Sequence, residues 1–169
     1  RDALMQKLSE ELNVCIQAYR PSLLFINGEL WGLYNLRERY STDYFYRHFG
    51  LLPENLVMLE SISPLLTGSW NTKYELNEGA PGDEEDFYAL IDYAASHNMK
   101  EDAHLEWIEE RMDLDNYIDY FIASCYLANT DWPGNNIKVW RNKNPDDPSG
   151  LDTRWRWVLS DMDFGIGHS

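Results

Sequence analysis

The chain has 169 residues, which is enough for one domain with a sizeable buried core. Its formal net charge of −15 at pH 7 argues against a nucleic-acid partner, because phosphate binding needs clustered Lys and Arg. No apolar run approaches the roughly 18 residues that a membrane span requires. Because the sequence begins within a helix-like segment and ends just past a loop, we expect it to be a fragment of a longer protein.

Apolar spacing at the start of the chain predicts an amphipathic helix over residues 1–16. Two β-rich runs follow, residues 22–26 and 31–36, on either side of Asn27 and Gly28. Asn-Gly between such runs is a strong hairpin signal, because both residues tolerate positive φ. The sequence therefore predicts a hairpin after the first helix.

The middle of the chain reads as a short helix, a buried strand and an irregular insertion. Ser41 or Thr42 can cap a helix over 43–48 that Gly50 closes. Residues 56–59 predict the strand, and residues 61–82 the insertion.

Further helices are predicted over residues 83–95, 100–112 and 116–129. The last one is apolar around much of its surface, which predicts a central, fully packed helix. Cys15 and Cys125 both fall in apolar helical patterns without a Cys-x-x-Cys pair. This favours two buried free thiols, and a disulfide is the alternative.

Two short acidic stretches flank a second predicted hairpin near the end of the sequence. The first contains Asp131 and Asn136, and the second contains Asp161 and Asp163. Between them, strands over 137–141 and 155–159 are joined by a turn-rich loop. Because a hairpin brings its open ends together, these side chains should converge. Converging carboxylates repel one another unless a cation lies between them, and a divalent cation with oxygen ligands fits best.

The spacing Asp-x4-Asn, followed after a hairpin by an Asp-bearing turn, is similar to a kinase catalytic loop and its magnesium loop. The pattern Asn-x-Asp-Trp-x-x-Asn-Asn, followed by Trp-x-Trp-x-x-x-Asp-x-Asp, resembles the motifs of the CotH family of secreted or spore-coat atypical protein kinases. The resemblance extends to Arg-Asp-Ala-Leu at 1–4 and to residues 26–38. It covers most of the chain.

The resemblance implies an α+β, protein-kinase-like fold in partial copy, with a mostly helical larger lobe that carries β-hairpins. It divides this single-domain fragment into a remnant of the smaller lobe with its connecting helix (1–60), an insertion (61–82) and a helical lobe with the metal-site hairpin (83–169).

The activity that the resemblance implies is transfer of the ATP γ-phosphoryl group to Ser or Thr of an extracellular or coat protein. Asp131 would be the catalytic base, Asn136 would bind cofactor and metal, and Asp161 and Asp163 would be metal ligands. The implied metal is Mg²⁺ or Mn²⁺, with Ca²⁺ as a further option. The implied location is secreted, cell-surface or spore coat.

Glu38 stands in the pattern Gly-x-Tyr-x-x-x-Glu, which resembles the family's Gly-x-Tyr-x-Leu-x-Glu. The resemblance implies a cofactor-binding carboxylate. The alternative is a surface glutamate in a charge-balanced turn between Arg37 and Arg39.

The second acidic stretch departs from the family pattern in two places, because Ser160 and Ile166 stand where the family has Trp and Phe. The sequence Asp163-Phe164-Gly165 matches the kinase magnesium motif Asp-Phe-Gly. The family pattern Trp-Asp-x-Asp-x-x-Phe-Gly, however, aligns its two acids with Asp161 and Asp163. Ser160 replaces the family tryptophan. Which carboxylate ligates the metal therefore stays open.

The family's phosphate-binding lysine lies in a segment upstream of Arg1, and Lys7 and Lys73 stand in other contexts. We therefore expect the fragment to be weak or inactive as a kinase by itself. Two alternatives remain: a non-catalytic surface module that binds a partner or carbohydrate, and a structural domain stabilised by Ca²⁺. Nucleotide binding separates the kinase from the module, and metal preference separates the Ca²⁺ domain.

Overall fold

A computed structural model describes residues 1–63 and 73–167 of the chain, and it confirms an α+β architecture. The helices are α1 (Asp2–Leu8), α2 (Thr42–Phe49), α3 (Glu85–Ser96), α4 (Asp102–Glu109) and α5 (Leu114–Tyr126), with a 3₁₀ turn at Pro53–Asn55. The strands are β1 (Tyr19–Ile26), β2 (Glu29–Arg37), β3 (Leu56–Ile62), β4 (Lys73–Glu78), β5 (Lys138–Asn142) and β6 (Arg156–Val158). In this part of the chain, no helix is long and apolar enough to cross a bilayer.

Strands β1 and β2 form the predicted first hairpin as a two-stranded antiparallel sheet. Its turn consists of Asn27 and Gly28, with φ of 50° and 85°. Positive φ at both central residues is what a two-residue turn needs to match the twist of the strands. Paired residues such as Leu23 and Leu33 are exposed, at 63% and 68%.

The other strands form an antiparallel sheet in the order β4-β3-β5-β6, and strand β3 is buried on both faces. On β3, Val57 and Leu59 belong to the core beneath α3, α4 and α5. The alternate residues Leu56 and Met58 belong to a second core that includes Phe45 of α2. Side chains alternate between the faces of a strand, so this apolar run supplies both cores.

Two boundaries differ from the sequence predictions. Strand β4 pairs with β3 inside the stretch 61–82 that was predicted to be irregular, and residues 64–72 of that stretch lie outside the described residues. Helix α1 ends at Leu8 rather than continuing to residue 16. The side chain of Gln6 accepts a hydrogen bond from the backbone N–H of Gln17 at 3.1 Å, so the chain after α1 folds back on the helix instead of extending it.

Helix α5 packs against β6, but much of the apolar surface that predicted a central helix is exposed. Its buried residues include Tyr120 and Ala123, whereas Phe121 and Ile122 are 44% and 51% exposed. The sheet covers one side of the helix only. Both cysteines are free thiols: Cys15 is buried as expected, and Cys125, on the outer side of α5, is exposed.

Candidate functional site

The first acidic loop follows α5 and holds Asp131 in a fixed orientation. One carboxylate oxygen, Oδ2, accepts hydrogen bonds from the side-chain amides of Asn135 at 2.9 Å and Asn136 at 2.7 Å. The backbone N–H of Asp131 donates to Oδ1 of Asn129 at 3.3 Å. Asn136 has a φ of 57°, a conformation that Asn tolerates better than most residues. The Asp-x4-Asn spacing therefore closes into a local hydrogen-bonded loop.

The second acidic loop follows β6 and turns both of its acids outward. Met162 is buried, at 1% exposed, while its neighbours Asp161 and Asp163 are exposed. The Nδ2 amide of Asn129 lies 3.3 Å from the Met162 sulfur, so a side chain of the first loop contacts the buried residue of the second. Asp161 has a φ of 50°, which completes the tight turn after the strand.

The two loops meet, as the hairpin geometry predicts. The backbone N–H and the hydroxyl of Thr130 both donate to the carbonyl oxygen of Phe164, each at 3.2 Å. A Cβ atom at Gly165 would lie 2.9 Å from the carbonyl oxygen of Leu127, so this close approach requires glycine. The close packing against Leu127 thus explains the glycine at position 165, which the sequence alone did not explain.

The electrostatics of the site show crowding of negative charge. Partial desolvation and the carboxylate of Asp163 raise the pKa of Asp161, and Asp131 raises it further. The guanidinium of Arg37 opposes the rise. A carboxylate whose pKa is raised by neighbouring carboxylates would be stabilised as an anion by a nearby cation.

The donor set fits a hard divalent cation, since Asp161 and Asp163 offer carboxylate oxygens and Asn136 offers an amide oxygen. Among residues 1–63 and 73–167, however, no three His, Cys, Asp or Glu side chains are close enough together to hold a metal. The structure brings the acids of the two loops to one place without closing a cage. The metal roles of these three residues stay predictions.

Glu38 has a different neighbourhood. Its carboxylate accepts a hydrogen bond from the backbone N–H of Ala18 at 2.9 Å and lies 2.9 Å from Nε2 of His48. Burial raises the pKa of Glu38, but these two partners lower it more, so the net shift is downward. Glu38 also lines a cavity of about 490 Å³ with Lys7 and Tyr44. These contacts do not join it to either acidic loop, and its cofactor role stays a prediction.

Two residues next to the site were not predicted from the sequence. Asp2, at 4% exposed, accepts a hydrogen bond from the backbone N–H of Met162 at 2.6 Å and forms an ion pair with Arg37. In the sequence, Asp2 reads as an ordinary acidic residue in the first turn of a helix. Arg37 reads as one of two arginines that balance Glu38. Nothing in their local patterns predicts that they meet beneath the second acidic loop.

The sequence model of the family described as CotH kinase protein matches residues 1–169, which is the whole chain. Among curated proteins, none matches the chain.

Proposed function

This chain belongs to the CotH family, and from that premise we propose that it is part of a kinase-like domain that transfers the γ-phosphoryl group of ATP to a Ser or Thr hydroxyl. Family membership suggests association with the spore coat, and we propose a coat, secreted or cell-surface protein as the acceptor. The observation that supports the proposal is the contact between the two acidic loops, in which Thr130 of the first loop donates two hydrogen bonds to the carbonyl oxygen of Phe164 in the second.

Asp131 is the proposed catalytic base. The amides of Asn135 and Asn136 hold its Oδ2, at 2.9 and 2.7 Å, and thereby fix the orientation of the carboxylate. Within the described residues no hydrogen bond engages its Oδ1, so this oxygen can accept the proton of an incoming hydroxyl group. A carboxylate oriented in this way can act as a general base without first losing rotational freedom.

Asp161, Asp163 and Asn136 are the proposed metal ligands. Mg²⁺ or Mn²⁺, when bound, would neutralise the charge of the ATP phosphates. Buried Met162 keeps the two carboxylates on the outer side of their loop, so both remain accessible. The site does not distinguish which of the two is the primary ligand.

A second candidate function is a non-catalytic surface module that retains the cation site, with Ca²⁺ as an option. Exposed apolar residues on the β1–β2 hairpin favour it: Leu23, Trp31 and Leu33 are 63%, 59% and 68% exposed. Exposed apolar residues on neighbouring strand positions are typical of surfaces that contact another protein. Such a module would bind a partner without turning over ATP.

Calorimetry of ATP binding to the intact protein separates these functions. We expect binding in the presence of Mg²⁺ or Mn²⁺ and at least about tenfold weaker binding in excess chelator, because the acids then repel the phosphates. The paired substitution Asp161→Asn with Asp163→Asn should reproduce the chelator result. Glu106→Gln with Glu109→Gln, which removes the same charge from exposed positions of α4, should bind as wild type.

Equal affinity with and without chelator would contradict the metal assignment. An intact protein that binds no ATP under any of these conditions would contradict the kinase function. Stabilisation by Ca²⁺ in that same protein would then support the non-catalytic module.

A further inference from the structure

Asp2 joins the end of the first hairpin to the second acidic loop. One carboxylate oxygen, Oδ1, accepts the backbone N–H of Met162 at 2.6 Å, between the two acids of the loop. The other oxygen, Oδ2, pairs with Nη2 of Arg37, the last residue of β2. The carboxylate is only 4% exposed, and a buried carboxylate is stable only when its oxygens are paired. Arg37 is therefore held in place by a group that is itself anchored to the loop.

Arg37 remains reachable from solvent. Its side chain is 37% exposed, whereas its partner Asp2 is nearly covered. The ion pair uses one Nη2 donor, and a guanidinium group has five N–H donors in a planar fork. Through Asp2, Arg37 lies close to the second acidic loop, and its positive charge opposes the rise in the pKa of Asp161. A partly exposed, oriented arginine is the side chain best suited to bidentate contact with phosphate.

The surroundings of the acidic loops favour a cationic side chain for nucleotide binding. Asp161 and Asp163 are exposed on the second loop, Asp131 stands in the first, and a nucleoside triphosphate adds further negative charge. Within the described residues, the arginine contacts to the second loop come from Arg37, through Asp2, and from Arg1, whose Nη1 lies 3.4 Å from the carbonyl oxygen of Asp163. Arg1 is exposed and donates to that backbone carbonyl, whereas Arg37 is fixed by an ion pair.

We propose that Arg37 binds the phosphate groups of the nucleotide and that Asp2 is its positioning residue. The inference rests on the proposed kinase function. It assigns the phosphate contact to a residue of the described chain that the family pattern does not single out. Asp2 then has a dual effect, because it fixes both the guanidinium and the backbone between Asp161 and Asp163.

The alternative is that Arg37 only neutralises buried Asp2. A single substitution of Arg37 would then act through the uncompensated carboxylate, which itself destabilises the fold. The pair Asp2→Asn with Arg37→Gln removes both charges together. Asn at position 2 still offers an oxygen to the Met162 N–H, and a neutral Asn–Gln contact replaces the ion pair. This double variant separates loss of the phosphate contact from loss of charge balance.

The experiment measures dissociation constants of the intact protein for Mg²⁺-ATP and for adenosine by calorimetry, with thermal unfolding in parallel. We expect Arg37→Gln and the double variant to weaken Mg²⁺-ATP binding by about tenfold or more, the scale of a lost charge-assisted contact. Adenosine affinity should change less than about twofold, because adenosine has no phosphate. Arg39→Gln, an exposed arginine two residues further along, should match wild type in both.

Unchanged Mg²⁺-ATP affinity in Arg37→Gln would overturn the proposal, and so would recovery of wild-type affinity in the double variant, which would reduce Arg37 to a counter-ion. An equal loss of adenosine affinity would also overturn it, because the effect would then not involve phosphate. Wild-type protein that binds no ATP would overturn the proposed function itself. That outcome differs from the others, since it appears before any variant is compared.

Discussion

Asn116 provides the sharpest test of how the site is supported, because one buried side chain joins three parts of the structure. Its Nδ2 donates to the carbonyl oxygens of Asn13 at 2.6 Å and Trp157 at 3.2 Å, and its Oδ1 accepts the N–H of Trp157 at 2.6 Å. It is 3% exposed. Through these bonds α5, which leads to Asp131, is tied to β6, which leads to Asp161.

The substitution Asn116→Ala leaves three backbone groups without these partners, two of them on buried Trp157. Each lost hydrogen bond costs about 1 kcal/mol, and an unpaired buried group costs more, so we expect a loss of about 3–4 kcal/mol in the free energy of unfolding. Urea unfolding followed by tryptophan fluorescence measures it. Asn13→Ala is the control, since Asn13 uses only its backbone carbonyl in this contact, and its effect should stay within about 0.5 kcal/mol. A loss below about 1 kcal/mol for Asn116→Ala would refute the reasoning.

Two further predictions concern acid stability and the outer side of α5. Burial raises the pKa of Asp147, but hydrogen bonds from Ser149 and Asn55 lower it to about 2. The ionised Asp147 carboxylate should therefore stabilise the fold fully above the unfolded pKa of about 4, and its contribution to the free energy of unfolding should be lost as pH falls through about 2. Acid titrations of unfolding should show a shallower decline for Asp147→Asn. Phe121→Ala should cost about 1 kcal/mol in urea unfolding, not the ~3–5 kcal/mol of a buried aromatic, because Phe121 is 44% exposed and its ring contacts are an edge contact with Trp132 and a tilted contact with Tyr117. An Asp147→Asn profile parallel to wild type, or a Phe121→Ala loss above about 3 kcal/mol, would contradict them.

Local signals predicted the two hairpins well. Asn27 and Gly28 carry the turn chemistry of the first hairpin within their own residue types. The second hairpin was predictable because its strands pair antiparallel, with Val139 opposite Trp157. The contact between the two acidic loops follows from that pairing, since the open ends of a hairpin must be neighbours.

The exposed side of α5 was not predictable from its periodicity. Ile118 and Phe121 of the predicted apolar stripe are exposed, whereas Tyr120, outside that stripe, is buried, because only one side of the helix meets the sheet. Polar Asn116 lies on the covered side, where it makes three hydrogen bonds to Asn13 and Trp157. A single-sequence pattern counts apolar residues and gives no weight to such a bond.

Contacts between residues far apart in sequence were the other limit. The bond from Met162 to Asp2 spans 160 positions, and the ion pair of Asp2 with Arg37 joins a helix to a separate strand. No local spacing reports such contacts. The early end of α1 has the same origin, because Gln6 binds the backbone of Gln17 after the chain has turned back.

The central claim is that Asp131 acts as a base beside a metal-dependent nucleotide site, and Asp131→Asn in the intact protein tests it most directly. The measurement is the rate of γ-phosphoryl transfer from radiolabelled ATP to Ser- and Thr-containing peptides, together with Mg²⁺-dependent ATP affinity. Asp146→Asn, an exposed aspartate of the β5–β6 loop, is the control. We predict that transfer falls by about 10²-fold or more in Asp131→Asn while fold and ATP affinity are preserved, because Asn keeps the size of the side chain but cannot take the proton. Transfer at the wild-type rate would show that Asp131 is only a turn residue and would contradict the account.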